Sequence, residues 1–404
     1  MLSHRGDFRL AECWHINNVR DKKVRIGIPK ETYPGETRVA LIPGNLSTLT
    51  RDKHEVLLET GAGLGASYSD DEFKASGAVI VDTAKSLYDQ ADIVFKVQPP
   101  TAQEAGMIKE GSSYIGYLAP LAKPDAVKVL AARKVTSFSI EYIPRITRAQ
   151  SMDALSSMAT VAGYKAVLLA TERLGKMFPL LMTAAGTVPA ATVLVLGAGV
   201  AGLQAIATAK RLGARVEAFD VRAAVKEQVK SLGATFIEVE GTEDMETKGG
   251  YAKEQSAEFL KKQQAALTAR LPRVNAVITT AQVFGKKAPI LLTKEMVQAM
   301  RAGSVIVDLA AEQGGNCELT EAGKTIERYG VIIMGAVNLP ATIPVDASLM
   351  YSKNVINLFK LLYPKPDAVP DFNDEVIKGA CITRNGEIVN ESVRTAISQG
   401  GKVS

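Results

Sequence analysis

Apolar and polar positions come in blocks along this chain. "KVRIGIPKE" (23–31), "HEVLLETGAG" (54–63), "GAVIVDT" (77–83), "ADIVFKVQPP" (91–100), "SSYIGYLAP" (112–120) and "KVTSFSIEYIP" (134–144) are short apolar runs, several rich in β-branched residues. Such runs read as strands. Polar, helix-compatible stretches such as "GNLSTLTRDK" and "PDAVKVLAARK" separate several of them. Strands alternating with helices at this spacing predict a doubly wound parallel sheet. A helical pattern then runs from Ser151 to about Lys176, with Ser151 as its N-cap. A second series follows: "ATVLVLG" (191–197), "ARVEAFD" (214–220), "ATFIEVE" (234–240), "NAVITTA" (275–281), "GSVIVDLA" (303–310) and "GVIIMGA" (330–336). The tail holds a helix-like "SLMYSKNVINLFKLLY" and a hairpin turning at Asn385-Gly386.

The 404 residues exceed one hydrophobic core and suffice for two or three domains. A hydrophobic share of 47% with 23% charged residues is that of a soluble globular protein. The net charge of +5 is weak, and no basic run interleaved with aromatics is present, which excludes a nucleic-acid footprint. Cys13, Cys317 and Cys381 have no metal-like spacing and form no even disulfide framework, which implies a reducing compartment. His4, His15 and His54 all lie near the start, which speaks against a zinc site and a His-based triad. No metal is expected. Residues 1–23 lack the apolar segment of a secretory signal and read as a frayed extension.

The longest apolar run, "AATVLVLGAGVAGLQAIATA", is punctuated by glycines in a phosphate-loop pattern, which excludes a membrane span. Gly197, Gly199 and Gly202 follow a strand and open a helix, and a second strand ends in Asp220, 18 residues after Gly202. That context makes a dinucleotide site. Gly197 permits the tight turn, Gly199 lets backbone approach a pyrophosphate at the helix N-terminus, and Gly202 lets helix and strand pack closely. Asp220 is expected to accept hydrogen bonds from the adenosine ribose and to repel a 2′-phosphate, an interaction of about 4 kcal/mol at about 4 Å near a surface. This favours NAD(H) over NADP(H), although Arg222, two residues on, could accommodate a phosphate.

"PRITRAQSMDALSS" (144–157) concentrates Arg145, Arg148, Gln150, Ser151, Asp153, Ser156 and Ser157 about fifty residues before the glycine motif. Asp153, Ser156 and Ser157 share one helix face. In the first turn Asp153 alone is explained by the helix dipole. An extended "RITRAQ" leading into that face would gather donors and acceptors around a small polar group such as the nicotinamide carboxamide. An interdomain hydrogen-bond network explains the same residues equally well.

"PRITRAQSMDALSS", with "GYKAV", "TAAGTVP", "GAGVAGLQAIATAKRLGA", "DVR", "KEQV", "GGYAKE" and "DLAAEQGGNCE", closely resembles the NAD(H)-binding component of proton-translocating nicotinamide nucleotide transhydrogenase, over roughly residues 24 to 390. That family shares its fold with alanine dehydrogenase. The resemblance implies that Arg145, Gln150, Asp153 and Ser156 contact the nicotinamide end, the first three as the catalytic set. It implies that Gly197, Gly199, Val200 and Gly202 form the pyrophosphate turn, and Asp220, Val221 and Arg222 the adenosine side. "ETKGGYAKE" (246–254) matches a mobile loop with Gly250 and Tyr251 at its tip, and Gln263 lies on the helix after it. Members of this family dimerise and present NADH to a separate NADP(H)-binding component, coupled to protons by a membrane-embedded component. The chain would then be a separate soluble subunit or an excised piece, peripheral on the cytoplasmic face of an inner membrane or the matrix face of an organelle. One departure stands out: Gln282, in "AQVFGKKAP", replaces an apolar nucleotide contact of the family.

The related alanine dehydrogenases need a Lys, a His and an Arg, because oxidising an amino acid moves protons as well as a hydride. Arg38 and Lys96 stand at the Arg and Lys positions, Tyr117 at the His position, and Glu312 where the dehydrogenases tend to have Asp. An unperturbed tyrosine, with a pKa near 10, is a poor proton shuttle at pH 7. Transfer between two nicotinamides moves only a hydride and needs orientation and water exclusion instead. The expected architecture is α/β, with two Rossmann-like domains flanking a cleft: a discontinuous first domain (24–145 plus 330–404) and a nucleotide-binding domain (150–325). An autonomous amino-acid dehydrogenase is the alternative activity, and an NAD(H)-binding module without turnover the third reading.

Overall fold

The computed structural model describes residues 24–239, 257–283, 285–365 and 368–399. Two sheets organise them. The first six strands are β1 (Arg25–Ile28), β2 (Glu55–Glu59), β3 (Ala78–Val81), β4 (Ile93–Phe95), β5 (Ser113–Gly116) and β6 (Thr136–Ser139), and β7 (Leu181–Thr183) and β8 (Gly186–Val188) form a small separate hairpin. The second series is β9 (Thr192–Leu196), β10 (Arg215–Phe219), β11 (Thr235–Phe236), β12 (Ala276–Thr279), β13 (Val305–Asp308), β14 (Thr325–Arg328) and β15 (Val331–Gly335), and β16 (Cys381–Arg384) and β17 (Glu387–Ile388) close the chain.

The eight-stranded sheet has the order β17-β16-β6-β5-β4-β1-β2-β3, and the seven-stranded sheet β11-β10-β9-β12-β13-β15-β14. Strands β1 to β6 are parallel, as are β9 to β13 and β15. Strand order therefore reverses once in each sheet, between β1 and β4 and between β9 and β12. Crevices at the carboxyl ends of strands at such switch points are where doubly wound sheets bind ligands. The apolar runs become strands because both faces of these sheets are covered: β12 and β13 are buried at every position. The Asn385-Gly386 turn carries positive φ at both residues, +52° and +90°, the twist a two-residue hairpin needs. Strand β15 pairs with β13 and β14, so 331–335 completes the second sheet, and the expectation that everything from 330 belongs with the first domain does not match this pairing.

Two long helices knit the sheets together. Helix α1 (Ala154–Arg173) puts Ala154, Met158 and Val161 into the core over the first sheet, and Ala166, Val167 and Ala170 into the core over the second. Its apolar length suits a membrane span by composition, yet it is shared between two water-excluding cores. Helix α2 (Val200–Arg211) packs along it, and the last long helix, α4 (Pro344–Leu362), returns the chain to the first core through Ala347, Tyr351 and Val355. Between them in sequence lies α3 (Ala257–Thr268).

Candidate functional site

The switch point of the second sheet carries the glycine turn. Gly197 has φ +97°, a conformation that only glycine adopts without strain, and a Cβ there would meet Thr280 Oγ1 at 2.5 Å. Thr280, just beyond β12, donates to the Gly197 carbonyl at 3.0 Å and so ties the turn to the neighbouring strand. A Cβ at Gly202 would overlap the Gly197 carbonyl oxygen, so this glycine sets how closely α2 approaches its strand. Gly199 differs. It is the N-cap of α2 in extended backbone, and an added Cβ would meet nothing nearer than Arg222 Nη2 at 3.8 Å. Internal packing does not require a glycine there, and the turn is open on that side. Val200 begins the helix and is 43% exposed. The first N–H groups of α2 and its dipole suit an anionic group at this position.

Asp220 follows β10 and is buried. Its Oδ2 accepts from the Ala198 N–H (2.7 Å) and Arg222 Nη2 (2.8 Å), and its Oδ1 from the Arg222 N–H and Nε (both 2.9 Å). The carboxylate is thus neutralised by Arg222. Its charge alone discriminates less against a 2′-phosphate than a bare aspartate would. Val221 turns inward to the core. Gln263 on α3 is 1% exposed, and its Oε1 has no hydrogen-bond partner among the described residues, a costly arrangement for a buried amide. Gly250 and Tyr251 lie outside the described residues. Gln282 is exposed and donates to the Leu309 carbonyl at 2.7 Å, linking the carboxyl ends of β12 and β13.

The polar cluster is arranged differently from the extended lead-in that its sequence suggests. Residues Thr147–Met152 form a 3₁₀ turn, and Asp153 rather than Ser151 caps α1. Its Oδ1 accepts the Ser156 N–H at 2.8 Å and its Oδ2 the Ser156 hydroxyl at 2.6 Å. Arg148 is drawn to the first unit, in a two-pronged ion pair with Asp374 at 2.9 and 3.0 Å. Arg145 and Gln150 are exposed, while Asp153 and Ser156 are partly buried. What connects this cluster to the glycine turn is α1 itself. At Gly163 the helix runs so close to α2 that a Cβ would overlap the Ala201 carbonyl oxygen. Asp153 lies ten residues earlier, about 15 Å along the axis, and Ser156 about 10 Å. Gly163 and Thr280 escape a sequence reading because their role depends on which backbone they face.

The first sheet's switch point holds Arg38 and Lys96, and both are occupied by carboxylates. Arg38 Nη2 lies 2.6 Å from Glu36 Oε2 and donates to Asn338 Oδ1 at 2.9 Å. Burial works against ionisation of Glu36, but the Arg38 guanidinium overcomes it and holds this carboxyl down to about 2. Lys96 Nζ sits 3.0 Å from Glu104 and 3.2 Å from Glu31. Burial alone would lower its pKa; the two carboxylates raise it instead, so this amine stays protonated. Tyr117 is half-buried, and desolvation pushes its phenol further above the ordinary value of 10. Glu312 is exposed; local desolvation raises its carboxyl, and the Asn338 backbone N–H and the Arg38 charge oppose that shift. Across the cleft the loops touch: a Cβ added at Gly285 would lie 3.4 Å from Leu121 Cδ1. The arrangement offers a dinucleotide cradle facing a first unit whose charged groups are paired internally.

Comparison with known proteins agrees with this geometry. Residues 27–162 match the family model described as alanine dehydrogenase/PNT, N-terminal domain, and residues 166–391 that of the C-terminal domain. The chain is 49% identical over 382 residues to the first part of NAD(P) transhydrogenase subunit alpha of Rhodospirillum rubrum, covering 92% of this chain and 99% of that one. It is 30% identical to the alanine dehydrogenase of Bacillus subtilis, over 91% of this chain and 93% of that one. The crystal structure of transhydrogenase from Sinorhizobium meliloti superposes with a TM-score of 0.83 at 43% identity, over 90% of this chain and 100% of that one. Two Rossmann-like units, a glycine turn at the switch point and matches along nearly the whole chain lead to one conclusion: this chain belongs to the alanine dehydrogenase/PNT family.

Proposed function

We propose that the chain is the NAD(H)-binding component of a proton-translocating NAD(P) transhydrogenase. It holds NAD(H) in the cleft and exchanges a hydride directly with NADP(H) carried by a separate partner component. A membrane-embedded component couples that exchange to proton movement, and the chain sits at the membrane as a peripheral homodimer. The first domain comprises 24–145 plus the C-terminal segment, and the nucleotide domain 150–325, extended to Gly335 to include its last strand. Exposed apolar side chains before and on the β7–β8 hairpin support a dimer contact: Met182 is 81% exposed, Met177 56% and Leu180 54%.

The pairing of Arg38 and Lys96 carries the choice between the two family activities. An amino-acid dehydrogenase needs a cation free to hold the substrate carboxylate and a group that trades protons near neutral pH. Here Arg38 is paired with Glu36, Lys96 is flanked by Glu31 and Glu104, and Tyr117 is displaced further from neutrality. Bound NADH supplies the hydride. The residues of this chain supply position: the α2 N-terminus for the diphosphate, Asp220 for the ribose, and Arg145, Gln150, Asp153 and Ser156 for the carboxamide. Since no proton is exchanged at the reacting carbons, orientation and exclusion of water are what the transfer asks of the protein.

The test is reconstitution with an NADP(H)-binding partner, following reduction of an NADP analogue by NADH. Activity should require the partner, and Asp153→Asn should slow it while NADH binding persists. Brisk NADH formation from NAD and alanine by the chain alone would instead establish the dehydrogenase reading.

A further inference from the structure

Asp220 holds a ligand of the chain's own making. A carboxylate offers about four acceptor positions, and all four are taken: two by the backbone N–H groups of Ala198 and Arg222, two by the Arg222 guanidinium. The backbone donors are fixed by the glycine turn and by the chain leaving β10. The guanidinium rides on a flexible stem, and its Nη2 lies beside Gly199, on the face where the turn is bare. A fork of two N–H donors against one carboxylate has the geometry in which the two hydroxyls of a ribose would engage it.

We propose that Arg222 is an affinity- and specificity-determining residue that occupies the ribose position on Asp220 and must be displaced from it by the nucleotide. The inference rests on the NAD(H) reading given above and adds to it. Two consequences follow. Adenosine ligands are bound more weakly than the Asp220 cradle alone would allow, because every binding event breaks a part-buried two-pronged ion pair. Once displaced, the guanidinium remains at the ribose edge, where it offsets the repulsion between Asp220 and a 2′-phosphate. Arg222 thus makes the site less selective, in the direction opposite to the one its aspartate partner sets.

Titration calorimetry with AMP, 2′-AMP (adenosine 2′-monophosphate) and NADH separates these effects in the wild type, Arg222→Ala and Arg222→Lys. Arg222→Ala should bind AMP about tenfold more tightly, the gain from breaking no charge-assisted fork. It should bind 2′-AMP no more tightly, so the AMP preference widens about tenfold. Arg222→Lys keeps the charge but loses the planar fork, and should show a smaller gain for AMP with little change in preference. It also serves if the alanine variant melts abnormally. Unchanged or weaker AMP binding in either folded variant would overturn the proposal, because Arg222 would then be a spectator or a plain ligand contact. Failure of the wild type to bind both AMP and NADH would overturn the NAD(H) reading itself, and this inference with it.

Discussion

Replacing Gly163 by alanine tests whether α1 sets the position of the nucleotide turn. The added Cβ would lie 2.9 and 3.0 Å from the carbonyl carbon and Cα of Ala201, besides overlapping its oxygen, where ordinary contact begins at 3.4 Å. The obstacle is backbone at the start of α2, so no side-chain rotation relieves it. Overpacking of this kind costs about 1–3 kcal/mol. A backbone obstacle puts the cost near the upper end, and the better helix propensity of alanine returns about 1 kcal/mol. The net loss of about 2 kcal/mol corresponds to a melting point lower by roughly 4–8 °C for a unit of this size. On the proposed reading the α2 N-terminus faces the diphosphate, so a shift of that terminus should lower NADH affinity about tenfold. Gly175→Ala is the control, since nothing lies within 4 Å of its Cβ direction. Thermal melts and NADH fluorescence titrations of both variants decide the matter. If Gly163→Ala melts and binds like the wild type, the helix contact does not position the turn.

Two further predictions concern buried polar groups. The Glu36 carboxyl, normally at 4.5, titrates at about 2 in the folded chain, so its contribution is present above pH 4.5 and is lost as pH falls towards 2. The shift amounts to about 3 kcal/mol. Glu36→Gln should therefore be less stable than the wild type at pH 7, and denaturant midpoints should converge as pH falls from 4.5 towards 2; a constant gap would mean that Glu36 is not the titrating partner. Asn316, fully buried, accepts from the Ala281 N–H at 3.0 Å and donates to the Ala281 and Pro289 carbonyls at 2.8 Å each. Asn316→Ala should cost about 3 kcal/mol and make the 281–289 segment more readily cleaved by protease; wild-type resistance to cleavage would show that other contacts hold it.

The chain's pattern determined the features whose causes are local. Parallel strands follow from apolar runs long enough for one pass through a buried sheet. The glycine turn follows from the spacing of Gly197, Gly199 and Gly202 between a strand and a helix, and the C-terminal hairpin from Asn385-Gly386. Tertiary structure decided what each polar side chain does. Asp153 is explained by the helix dipole, by a bound carboxamide or by an interdomain network, and only the fold shows it capping α1 through Ser156. Arg148 finds Asp374 226 positions away, and Lys96 finds Glu31 across the first switch point. Arg222 turns back onto Asp220 and neutralises the charge on which a cofactor preference would rest. Strand β15 joins the second sheet because β13 offers it an edge. Backbone geometry and apolar periodicity are set by near neighbours, so they are legible along the chain. The partner of a buried charge is set by which segments the folded core brings within a few ångströms, and sequence spacing does not carry that distance.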